Sequence, residues 1–285
     1  MTLIVFAASR DDAASSNIAS RMASIYGFEA VAGGSEAVKA PSVVRTCLEG
    51  REMSLVTVEG ELVYLQDHPL FRDADLVVFL SRHTSRSGLP ILSVHVPGNL
   101  SHADFGGVSN LVSIAPANAM RAALLELERQ RTLLGLDGFR VYYEGTHHGP
   151  SLNVPTIFVE IGSSEREWVI REAGEAAAHA AIAAALNVDR VEAAIGLGGS
   201  HCNSRFTSHG LKIPIAFGHI VPSYAFGELS VATLSQLVER TLEENPTIVL
   251  DWKGIDGKQR SGLMSLLDGL DYQVHRLAEY KAGEE

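Results

Sequence analysis

The chain has 285 residues, 46% of them hydrophobic and 20% charged, with a formal net charge of −11. That composition speaks against disorder, leaves material for one large α/β core or two lobes, and argues against a protein that grips nucleic acid through a broadly basic surface. Two distant cysteines, Cys47 and Cys202, speak against a disulfide framework or a thiolate zinc site, so histidines and carboxylates would have to supply most ligands of any metal.

No basic-then-apolar leader opens the chain, and no window approaches the ~20 apolar residues of a membrane span. A soluble, cytoplasmic protein is expected, with no membrane partner. Residues 3–8 are a short apolar run ending in polar side chains, which predicts a buried strand. Asp11 or Asp12 caps a helix to about Tyr26, where Gly27 stops it. β-Branched alternation predicts strands over 42–48 and 52–58. Stronger ones follow over 75–80 and 91–96, the second stopped by Pro97-Gly98-Asn99. Pro116 opens a helix that Gly135 ends after Leu134. Strands are expected over 139–143 and 156–161. A Ser164–Glu167 capping box then starts an alanine-rich helix reaching Leu186. The remainder reads as strands over 191–197 and 213–220, a helix over 230–244, a strand over 247–251 and a last helix over 258–267. This alternation predicts an α/β fold, a mostly parallel sheet flanked by helices, with ligands at the carboxyl ends of strands. One domain over 1–285 is expected, with at most a weak lobe boundary in the glycine-rich turn at 135–138.

Seven of the eleven histidines fall at predicted strand ends or just after them: His83, His95, His102, His147, His148, His201 and His219. Histidine is the commonest metal ligand and the usual acid or base near neutral pH. The loop SRHTSRSGLP at 81–90 joins Arg82, His83 and Arg86 to several hydroxyls, a set able to hold phosphate. His95 alternates with Val94 and Val96, which favours a satisfied core histidine over a ligand, and His102 and Asp104 read as solvated loop residues. In EGTHHGP at 144–150, adjacent extended residues point opposite ways, so His147 and His148 take different tasks. Glu160 stands in an apolar strand, where a carboxylate is costly unless paired or ligated. GLGGSHCN at 196–203 follows a strand without the spacing of a phosphate-binding loop, and His201 beside Cys202 does not by itself make a thiol nucleophile. His68, His209 and His275 read as surface positions, and His179 as a structural residue in a helix.

Together these segments resemble the archaeal and plant D-aminoacyl-tRNA deacylase family. The likeness rests on HTSRSG at 83–88, HVPGN at 95–99, THHGP at 146–150 with VEIG at 159–162, GGSH at 198–201 and GHIVP at 218–222. It implies hydrolysis of the ester joining a D-amino acid to the 3′ end of tRNA, dependence on zinc (Zn2+), and a fold similar to the phosphorylase and peptidyl-tRNA hydrolase group. One departure stands after His201, where the family pattern leads to expect Tyr followed by a Pro-Lys pair and this chain has Cys202-Asn203-Ser204-Arg205.

The expectation is therefore one metal site built from a subset of His83, His147, His148, Glu160, His201 and His219. Glu160 or His148 serves as catalytic base, and Arg82, His83, Arg86 and Asn99 bind the substrate or its phosphates. D-aminoacyl-tRNA is the expected partner, and a monomer the default state. The rivals are a zinc exopeptidase or amidohydrolase acting on small peptides, a nucleoside phosphorylase-like enzyme, and a non-catalytic tRNA-binding module.

Overall fold

The computed structural model describes residues 2–30 and 42–281. In chain order they form β1 (Leu3–Ser9), α1 (Ala13–Tyr26), β2 (Glu29–Ala30), β3 (Ser42–Leu48), β4 (Arg51–Val58), β5 (Leu76–Arg82), β6 (Ile91–His95), β7 (Gly98–Asn99), β8 (Leu111–Val112), α2 (Ala117–Leu133) and β9 (Arg140–Tyr143). There follow β10 (Thr156–Gly162), α3 (Glu165–Trp168), α4 (Arg171–Leu186), β11 (Glu192–Leu197), α5 (Ser204–Lys212), β12 (Ile215–Val221), α6 (Val231–Glu239), β13 (Thr247–Leu250), α7 (Gly257–Leu267) and β14 (Val274–Arg276).

The fold is α/β, as expected. Eight strands form one sheet in the order β2-β3-β4-β1-β5-β10-β6-β9, and a second sheet runs β12-β11-β13-β14. The centre of the first sheet is parallel, and the second is parallel throughout. One reversal matters for function: β6 runs antiparallel to β10 and parallel to β9. Helices α1, α2 and α4 pack against the first sheet. The α4 face toward α1 and α2 is almost all alanine, and a Cβ on its Gly174 would meet Asn17 Oδ1 at 2.4 Å. Such small residues let helix backbones approach closely. Phe206, Phe217 and Ile220 from the second unit join the same core, so the two sheets share one apolar interior.

Local differences from the sequence reading have physical causes. The capping box at Ser164 and Glu167 closes only the four-residue α3, and the chain breaks before α4. The Asn17 amide holds that break by donating to the carbonyls of Trp168 (2.9 Å) and Ile170 (2.8 Å). The helix expected over 230–244 stops at Glu239. The residues after it are needed elsewhere: Leu242 N–H donates to Ala115 O, and the Glu243 carboxylate accepts from the N–H of Ala117 (3.0 Å) and Asn118 (2.8 Å), capping α2. Helix α5 and the short strands β2, β7, β8 and β14 have no counterpart in the sequence reading. No helix among the described residues is long and apolar enough to cross a membrane.

Candidate active site

The register of three adjacent strands builds the floor of the site. Phe158 on β10 lies opposite Phe79 on β5 and His95 on β6, while Glu160 lies opposite Ser81 and Ser93. Directly opposed residues share a face, as do residues two apart. Phe79, Phe158 and His95 therefore form one row, and Ser81, Glu160 and Ser93 the next. The first row stacks, with ring centroids 4.7 Å apart for Phe79–Phe158 and 5.1 Å for His95–Phe158. Val94 and Val96, on the opposite face, enter the helix-packed core. Glu144 follows β9, and its N–H donates to Val94 O (3.1 Å), which sets its carboxylate beside His95.

Loops close over this floor. His83 follows β5, His147 and His148 follow β9, and His201 arrives from the second sheet on the loop after β11. Gly145 N–H donates to His201 O (3.0 Å) and Gly98 N–H to His148 O (2.6 Å), so the loops are tied to one another. His148 takes φ = 40°, a left-handed conformation uncommon outside glycine. Such backbone persists where the surroundings over-determine it, often at functional sites.

The result is a knot of seven side chains. Glu144 is its hub, with Oε1 2.9 Å from His83 Nδ1 and Oε2 3.0 Å from His201 Nε2. Glu160 Oε2 lies 3.7 Å from His95 Nε2 and 3.8 Å from His83 Nδ1. The His147 ring centre is 4.4 Å from that of His95, 4.2 Å from His148 and 4.5 Å from His201. Three triplets have ligating atoms within 4.8 Å of one another: His95–His147–His148, His83–Glu144–His201 and His95–Glu144–Glu160.

Burial sets the charges. Glu144 is buried, which opposes its charge, yet His201 and His83 hold it well below the usual carboxylate range. Glu160 moves the other way, raised by burial and by the Glu144 charge. Burial works against charge on His83 too, but Glu144 and Glu160 raise it to about 9. Burial lowers His95 to about 4 and His148 to about 3, and it lowers His147 well below its usual value, with the crowded neighbouring histidines adding to the effect. Nδ1 of His147 lies 2.8 Å from Gly145 O and Nδ1 of His148 lies 2.6 Å from Gly149 O. A carbonyl can only accept, so each Nδ1 carries the proton and each Nε2 keeps a lone pair. Among the described residues, Nε2 of His83 and both nitrogens of His95 meet no well-directed hydrogen-bond partner, and the Glu144 oxygens, though close to two imidazoles, receive no well-directed donor. Buried polar atoms left this way are costly unless something binds them.

Of the residues expected at a metal, the structure gathers His83, His147, His148, Glu160 and His201. His219 is a correction. It is fully buried, and its Nδ1 faces Thr146 Oγ1 (3.2 Å) while its Nε2 faces Arg240 O (3.3 Å), so both nitrogens are spent on the core. Two residues of the knot had been passed over. Alternation with Val94 and Val96 favours a core reading for His95, and the sequence reading assigns Glu144 no role. The one available signal for Glu144 was a carboxylate three residues before two adjacent histidines.

The expected phosphate set also changes. Arg82 lines the cleft, but its guanidinium reaches Glu61 (2.8 Å) and Asp12 (3.9 Å), which cancel its charge. Arg86 is exposed and does not line the cleft. The Asn99 amide donates to Gly106 O (2.9 Å) and Val108 O (3.4 Å), holding a loop rather than reaching outward. Burial pushes the Cys202 thiol up to about 12, which removes it as a nucleophile.

Two cavities open onto the knot. A cleft of about 690 Å³ is lined by Asp12, Arg82, His83, His147, His148 and Glu160, among others. A recess of about 310 Å³ is bounded by Asn99, His102, Asp104, His147, His148 and Tyr224, and shares His147 and His148 with the cleft. Phe105 lines both.

Comparison with known proteins bears on what this arrangement is for. The D-aminoacyl-tRNA deacylase family model matches residues 70–275, a span that holds all seven side chains of the knot. The D-aminoacyl-tRNA deacylase of Thermococcus kodakarensis is 36% identical over 277 residues, covering 93% of this chain and 96% of that protein. That of Pyrococcus abyssi is 37% identical over 228 residues, covering 77% and 82%. A crystal structure described as a conserved protein of unknown function superposes with a TM-score of 0.84 at 28% identity, covering 98% of this chain and 96% of that one. An Arabidopsis thaliana 5′-methylthioadenosine nucleosidase covers 67% of this chain at a TM-score of 0.39, too low to carry an argument. On the length of the family match and the identity of its relatives, the chain belongs to the D-aminoacyl-tRNA deacylase family.

Proposed function

We infer that the chain is a D-aminoacyl-tRNA deacylase, a hydrolase that cleaves the ester between a D-amino acid and the 3′ end of tRNA and so recycles mischarged tRNA. The peptidase, phosphorylase and pure binding readings have no support among its relatives. The observation that carries the site assignment is the set of buried, unpartnered nitrogens on His83 and His95 beside the undirected oxygens of Glu144.

These donors fit zinc, which takes histidine nitrogen and carboxylate oxygen. The triplets His95–His147–His148 and His83–Glu144–His201 share no member, which is the donor set for two ions. Bound there, zinc supplies a water acidified to a pKa near ~7 and a Lewis acid for the ester carbonyl.

The chain's own groups divide the remaining work. Glu160 sits at the cleft floor with its carboxyl raised toward neutrality, which suits a general base. It accepts a proton from the attacking water, and the proton returns to the ribose oxygen as the ester bond breaks. His148, lowered to about 3, is the weaker base of the two. One chain holds a full donor set, so a monomer suffices for this work, and a tRNA substrate agrees with a cytoplasmic setting. A rigid cleft selects an enantiomer most readily by a clash with the wrong one.

The test is release of labelled D-tyrosine from D-tyrosyl-tRNA, with L-tyrosyl-tRNA as control and metal content measured on the same preparation. Fast release from the D-form alone and one to two zinc ions per chain are expected. Equal rates on both enantiomers would remove the deacylase assignment, and full activity in metal-free protein would remove zinc.

A further inference from the structure

The recess beside the histidine knot carries two aromatic rings that the chemistry above does not use. Phe105 is 67% exposed and Tyr224 68% exposed, although both line a cavity that reaches His147 and His148. Exposed aromatics at a cavity mouth mark a surface meant for contact.

These rings are presented by fixed supports. Phe105 O accepts from Gly149 N–H (2.9 Å), one residue past His148, and Asn99 holds the next carbonyl, that of Gly106. A Cβ on Gly106 would stand 1.9 Å from Val63 O, and one on Gly149 would stand 2.2 Å from Gly107 N. Backbones that close cannot shift far, so the Phe105 ring is held out over the recess. Tyr224 is held at its other end, with its hydroxyl 3.1 Å from His201 Nδ1, while the residue stays 68% exposed.

The chemistry of the recess narrows the ligand. Neither lysine nor arginine lines it, so it is not built for phosphate. The whole chain carries a net charge of −11, so general attraction to a polyanion is weak. Aromatic platforms bind single-stranded nucleic acid through the faces of its bases, without needing positive charge at the ring. A recess of about 310 Å³ suits one nucleobase with its ribose, and the larger cleft, which shares Phe105, His147 and His148 with it, leaves room for the acyl group.

We propose that Phe105 and Tyr224 stack the 3′-terminal nucleobase of the tRNA in this recess. The proposal rests on the deacylase reading above. Phe105 is the cleaner probe, because Tyr224 also touches His201.

Stacking holds in the ground state as well as the transition state, so its loss raises KM and spares kcat. Phe105→Ala should raise KM for D-tyrosyl-tRNA by about 5- to 150-fold, the range that one stacked base supplies. Its kcat should stay near the wild-type value, and Phe105→Tyr should restore KM. D-alanyl-tRNA should show the same rise, because the ring reads the base and not the amino acid. An unchanged KM, a loss carried by kcat, or a rise confined to D-tyrosyl-tRNA would each overturn the proposal. Wild-type protein inert on both D-aminoacyl-tRNAs would instead sink the deacylase reading beneath it.

Discussion

His95 and His219 are both wholly buried, and both sit on strands of one continuous core, yet they belong to different kinds of region. His219 has a partner at each ring nitrogen, Thr146 on one side and Arg240 on the other. His95 has none at either, and it faces two further histidines and two carboxylates. Burial alone therefore does not separate a core imidazole from a functional one. What separates them is whether the fold satisfies the nitrogens it buries, because an unsatisfied buried polar atom costs more than a hydrogen bond gains.

The sharpest way to break that contrast is to empty the knot. Dialysis against a chelator should abolish deacylation, and added zinc should restore it. Glu144→Ala removes the carboxylate shared by His83 and His201. It should lower metal retention by more than the roughly 10- to 100-fold that loss of a supporting contact costs. Wild-type zinc content in that variant would show that Glu144 is only a buried counter-charge.

Next in size is the base. Glu160→Gln should lower kcat by about 10²- to 10⁴-fold while KM for D-tyrosyl-tRNA holds. A wild-type kcat would pass the role to His148.

Acid should distinguish the regions through stability. In metal-free protein, His95 is lowered to about 4 and His148 and His219 to about 3, and His147 is lowered in the same direction. Below pH ~6.5 the unfolded chain protonates these groups and the fold does not, so the unfolded state binds more protons and stability falls as pH falls. The window runs from about 6.5 down to about 4. Glu160 and Asp12, both raised by burial, oppose the trend but are outnumbered by the lowered histidines. His83, raised to about 9, contributes fully below 6.5 and loses its contribution as pH rises through 9. Thermal melts of chelated protein should fall in midpoint from pH 7 to pH 5. A flat profile would mean that the imidazoles are not buried in neutral form.

Replacing His219 by leucine should affect folding alone. Thr146 Oγ1 still accepts from Ile220 N–H, and Arg240 O still accepts from Ala115 N–H, so neither partner is orphaned. The expected cost is about 1–2 kcal/mol in stability, with kcat/KM unchanged. A loss of zinc in this variant would return His219 to the metal site.

The sequence made some of this legible and hid the rest for identifiable reasons. Strand ends place histidines where α/β sheets bind ligands, and His83, His147, His148 and His201 do come together there. The cost of a lone carboxylate in an apolar strand singled out Glu160, which joins them. The place of His95 among the histidines was hidden because alternation with Val94 and Val96 reveals that a strand has two faces but not what covers each. Here one face meets helices and the other meets Phe158 and the histidines. His219 stands outside the cluster because its ring faces Thr146 and Arg240, which sequence order does not reveal. Helix α5 escaped because only Phe206, Thr207 and Gly210 are buried along it, although Asn203 does cap it by accepting from Phe206 N–H (3.2 Å).

The smallest expected effect concerns Cys202, which lies beside His201 and pairs its backbone with Glu144. Its place in the chain invites a cysteine–histidine mechanism, but the thiol, pushed up to about 12 by burial and by the nearby carboxylates, has almost no thiolate at neutral pH. What the site uses is the backbone: Cys202 O accepts from Ser200 Oγ (2.8 Å), and the bridge to Glu144 needs no side chain. Cys202→Ala should therefore keep kcat/KM within about 2-fold, the spread of a substitution that breaks no named contact. Iodoacetamide should label the exposed Cys47 without loss of activity. A drop of 100-fold or more in Cys202→Ala (roughly the lower end expected for losing a catalytic group), together with inactivation by the reagent that Cys47→Ser does not prevent, would place the nucleophile on sulfur and leave the histidine knot a supporting role.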